Sequence, residues 1–84
     1  MKETYSERLV RQAARDVALE AMRRIRARLR EVEADPFAFR LYEAEWITET
    51  GAWPVVPMPA REWVRYLLKD LSRAEAEFES CLNL

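Results

Sequence analysis

Two trios of closely spaced carboxylates, Glu43, Glu45, Glu49 and Glu75, Glu77, Glu79, are the residues best suited by type to acid–base or metal chemistry. Such chemistry needs carboxylates that converge on one reacting atom or ion. Residues two apart on a helix diverge by about 200°, so neither trio converges. Glu45 and Glu49 stand four apart and could share a cation, but nothing else in the chain completes such a site. Cys81 is the only thiol and there is no histidine. A nucleophile paired with an imidazole base is therefore excluded, as are an intrachain disulfide and a zinc site with four protein ligands. Gly51 is the only glycine, so no glycine-rich phosphate loop exists. The residues predict no enzyme, no cofactor and no metal. Cys81 reads as a small core hydrophobe.

Binding through charge is the next chemistry to weigh. Between Arg8 and Arg30 the chain carries eight arginines against Asp16 and Glu20, whereas residues 35–84 carry five bases and nine acids. On a helix Arg8, Arg15, Arg26 and Arg30 share one side, with Arg11 and Arg23 at its flanks. Such a stripe can track phosphates. Leu19 interrupts it, however, and the chain as a whole has a net charge of -1. No helix-turn-helix or RNA-binding signature accompanies it. These arginines read first as a solubilising, acid-paired face and second as a nucleic-acid or acidic-partner contact.

Three pieces must position these groups. The first is a long helix over about 5–34. Thr4 and Glu7 have the spacing of a capping box. Val10, Ala14, Val17, Ala18, Ala21, Met22, Ile25, Leu29 and Val32 form one apolar stripe. No glycine or proline interrupts it before Asp35-Pro36. At 1.5 Å per residue it is roughly 45 Å long, more than its own short chain readily covers. The third piece, a helix over about 59–82, places Ala60, Val64, Leu67, Leu71, Ala74, Phe78 and Cys81 at alternating spacings of four and three. That is a coiled-coil-like seam, widened by Trp63, Leu68 and Leu82. The two helices are expected to pack as an α-hairpin.

The middle piece, PFAFRLYEAEWITET, is ambiguous. Asp35 as N-cap and Pro36 as first residue favour a short helix over 36–48. The alternative is an α-β-β-α chain with a small hairpin at about 45–56. The connector 50–59 then holds Gly51 and Pro54, Pro57 and Pro59, which close a helix and keep the backbone extended. Its apolar residues are costly to leave in water. Trp46, Trp53, Val55, Val56 and Met58 are thus either a cap on the open end of the hairpin or a preordered partner-binding knob.

Eighty-four residues suffice for one thin-cored domain, here an all-α one. The charged start lacks the apolar core of a signal peptide. The longest uncharged run, Thr50 to Ala60, is too short to span a bilayer. A cytoplasmic protein with no membrane association is expected. In type (short, catalytically bare, aromatic-rich and arginine-rich) the chain is similar to small phage and mobile-element accessory proteins, anti-CRISPR proteins among them. The likeness covers no alignable stretch. It implies a stoichiometric inhibitor that presents Trp46, Trp53 and their neighbours to a protein partner, such as a nucleoprotein complex. The alternatives are a nucleic-acid-binding module using Arg8, Arg11, Arg15, Arg26 and Arg30, and a structural homodimer.

Overall fold

A computed structural model describes residues 3–43 and 56–82. In chain order these form α1 (Tyr5–Ala34), β1 (Phe39–Arg40), β2 (Met58–Pro59) and α2 (Ala60–Leu82). The helices pack side by side as the expected hairpin. α1 starts where its cap chemistry sets it: the Glu7 amide donates to the Thr4 hydroxyl at 3.1 Å. It stops at Asp35, whose amide still donates to the Glu31 carbonyl.

The core is one layer deep. Ala18, Ala21, Met22, Ile25 and Val32 of α1 face Ala60, Trp63, Leu67, Ala74 and Cys81 of α2. The alanines let the helix axes approach, and Ile25, Trp63 and Leu67 fill most of the space between them. Four residues of the sequence-derived stripes lie elsewhere. Val10 and Val17 on α1 and Leu68 and Leu82 on α2 are exposed, because each sits at the margin of its stripe, beyond what one facing helix covers. Conversely Asp70, a carboxylate in a charge-rich helix, is fully buried. Its position between Leu67 and Ala74 puts it one turn from each on the core side, and geometry here overrides residue type.

The short middle helix over 36–48 is not formed where the chain is described. Residues 36–37 make a turn and residues 39–40 a strand. Pro36 acts as the second residue of that turn, which the Ala38 amide closes on the Asp35 carbonyl at 3.3 Å. Asp35 is consequently the C-cap of α1 rather than the N-cap of a new helix. β1 pairs with β2 in antiparallel register, Phe39 opposite Pro59 and Arg40 opposite Met58. Pairing gains more than the helix would, because it also caps α2. The Ala60 and Arg61 amides, which have no acceptor within their own helix, donate to the carbonyls of Ala38 and Pro36 at 2.8 and 2.9 Å. Pro59, expected as the first helical residue, instead ends β2, where its missing N–H leaves no donor unsatisfied. Most of the alternative hairpin at 45–56 lies outside the described residues.

Candidate protein-binding surface

The segment 36–43 alternates rather than spirals. Phe37, Phe39 and Leu41 are 70%, 70% and 55% exposed, while Ala38 is half-buried and Tyr42 buried; the exposed Arg40 is the one break in the alternation. This is a period of two, the spacing of an extended chain with one face inward. Val56, 54% exposed, carries a fourth apolar side chain at this closed end of the hairpin.

The backbone beneath these side chains is braced. Trp63, fully buried, donates its indole Nε1–H to the Arg40 carbonyl at 2.9 Å. Its ring meets Tyr42 edge-on at 5.5 Å and lies 5.7 Å from Tyr66. Arg28 donates to the Glu43 carbonyl and stacks on the Tyr42 ring at 5.8 Å. Burial pushes the Tyr42 phenol above its ordinary pKa, with Arg40 and Arg28 opposing the rise and Glu31 adding to it. Outside the brace, Arg61 lies over the Phe37 ring at 5.1 Å and Arg40 reaches Glu31 at 3.5 Å. The result is an apolar ridge with arginines at its margin, held on backbone that is hydrogen-bonded on its inner side.

Of the five residues expected to bind a partner, Trp46, Trp53 and Val55 lie outside the described residues. Val56 is exposed, and Met58 is half-buried against the core cluster, so it contributes packing. Phe37, Phe39 and Leu41 are not among those five, because a helix over 36–48 gives their segment no single outward face. The apolar–other alternation from Phe37 to Tyr42 was the signal that could have located them.

The five arginines do not form one open stripe. Arg11 pairs with Glu3 at 2.8 Å, Arg15 approaches Asp16 at 3.6 Å and Arg26 reaches Glu75 on α2 at 3.7 Å. Arg8 and Arg30 are exposed. At the open end of the hairpin a groove of about 980 Å³ lies between the first turns of α1 and the last of α2, lined by Glu3, Glu7, Val10, Arg11, Glu77 and Cys81 among others. Among the described residues no group of three or more acids or thiols is placed to hold a metal ion. No helix among them is long and apolar enough to cross a membrane.

Comparison with known proteins found no match to this chain among protein families, curated proteins or solved structures.

Proposed function

We propose that this chain is a non-enzymatic protein-interaction module that acts by stoichiometric binding through the closed end of its hairpin. One observation carries the reading. Phe37, Phe39 and Leu41 stand in water although the backbone they flank is held by the turn at Pro36, by strand pairing and by Trp63. Large apolar side chains displayed together on braced backbone lose little entropy on docking, which makes them efficient binding groups. Arg40 and Arg61 at the margin favour a partner site that is apolar at its centre and acidic at its rim. Occlusion of a site on a larger assembly is the mechanism that needs nothing more than this surface.

The arginines of α1 support nucleic-acid binding less well, since three of the five named above already face acids. The test compares wild type with Phe39→Glu and with Arg8→Glu/Arg30→Glu, each checked for helicity by circular dichroism. Partner capture from host lysate should fail for Phe39→Glu and survive in the arginine variant. Capture unaffected by Phe39→Glu, or retention on DNA that falls steeply with salt and with the arginine substitutions, would sink the reading.

A further inference from the structure

α2 carries a second stripe, displaced by one residue from its core seam and with the same alternating spacing: Arg61, Arg65, Leu68, Ser72, Glu75, Glu79 and Leu82. None of these residues is buried, and Leu68 at its middle is 51% exposed. A shallow groove of about 450 Å³ runs along its first half, lined by Arg61, Glu62, Val64, Arg65 and Leu68. The order of charge along the stripe is two bases, an apolar–polar centre and two acids. Reversed in direction, that order is its own complement.

We propose that this stripe is a self-association surface, and that its occupant is the same stripe of a second copy running antiparallel about a two-fold axis between Leu68 and Ser72. This register sets Arg61 against Glu79 of the partner subunit and Arg65 against Glu75 of the partner subunit. The two-fold repeats both pairs on the other side, as an isologous contact requires. Leu68 packs against Ser72 and Leu68 of the partner subunit at the centre. A parallel arrangement is disfavoured, since it places arginine on arginine and glutamate on glutamate. Each exposed ion pair stabilises weakly alone, so the four act chiefly by fixing register around the leucine centre. Within one chain Arg61 lies over Phe37, Arg65 contacts Tyr66 and Glu75 reaches Arg26, all at exposed or half-buried positions, and the second copy exchanges these contacts for the intersubunit pairs. The register separates the two α2 N-termini by about 30 Å along the axis and puts the two apolar ridges at opposite ends. The inference does not rest on the ridge being a binding site.

The experiment uses two double variants of the full chain. Arg61→Glu/Arg65→Glu makes the charged positions all acidic, and Glu75→Arg/Glu79→Arg makes them all basic. Wild type should show reversible dimerisation in sedimentation velocity, weakened by salt. Each double variant, with helicity intact by circular dichroism, should lose at least about tenfold in self-affinity, since every substitution counts twice in a two-fold contact. Mixing the two variants one to one should restore a dimer, because every pair is then again opposite in sign. A wild type that stays monomeric into the high micromolar range overturns the proposal. So does a dimer indifferent to both variants, which would place the interface on another face, or a mixture that stays monomeric.

Discussion

Trp63 is the residue on which most of the closed end converges. It fills the core between the helices, fixes the Arg40 carbonyl and meets the Tyr42 ring in a T-shaped contact. Tyr42 in turn is held in its neutral form by burial. An unfolded tyrosine ionises near pH 10, whereas Tyr42 in the fold keeps its proton to higher pH. Above pH 10 the unfolded state therefore binds fewer protons, and stability falls as pH rises; below pH 10 this contribution is fully present. Urea unfolding followed from pH 9 to 12 should show wild type losing stability more steeply than Tyr42→Phe. Parallel curves would mean the phenol is not held neutral. At this scale the sequence was legible only in part. Trp63 is apolar and lies next to the seam, so its burial was readable. Asp70 was not, because a carboxylate in a charge-rich helix reads as exposed, and only the position of the facing helix shows that it is covered.

Among the elements, the two helices were legible and the piece between them was not. α1 has local signals at both ends, the Thr4 cap and the Asp35-Pro36 stop, and its boundaries follow from them. The core seam of α2 repeats often enough to fix its face. For 36–43 the local signals conflict. Asp35-Pro36 suits a helix start and a turn equally, and the deciding interaction is non-local. β1 forms because the first amides of α2 need acceptors and the carbonyls of Pro36 and Ala38 are in reach. No window along the chain contains both partners of that bond. The same reasoning ranks the caps. Thr4→Ala removes the side-chain acceptor from the Glu7 amide and should cost about 0.5–2 kcal/mol, read from urea unfolding. Thr4→Ser should restore most of the loss, since its hydroxyl can accept the same bond. If serine fares no better than alanine, the cap is not what positions the start of α1.

At the largest scale the two packed helices make a thin rod, with extents of 52 × 25 × 15 Å. Its Cα radius of gyration is 15.3 Å, against about 12 Å for a compact chain of this length. Among the described residues two helices side by side share a single interface, with no second layer to take over when a core residue is lost. Four of the buried hydrophobic residues are alanines, Ala18, Ala21, Ala60 and Ala74, which allow close approach but bury little area. Stability is consequently concentrated in the few large residues at the centre. Leu67, fully buried on α2, should lose about 2–5 kcal/mol on truncation to alanine. The total available to a chain of this size is roughly 0.05–0.15 kcal/mol per residue. That one substitution therefore removes a large share of it and should leave a chain that melts broadly. Val10→Ala, on the same helical hairpin but exposed, should change stability by less than about 0.5 kcal/mol. Far-UV circular dichroism in urea, at one fixed protein concentration, measures both. Comparable losses for the two variants would mean that Val10 is covered in solution and that the rod does not stand alone with its open end bare.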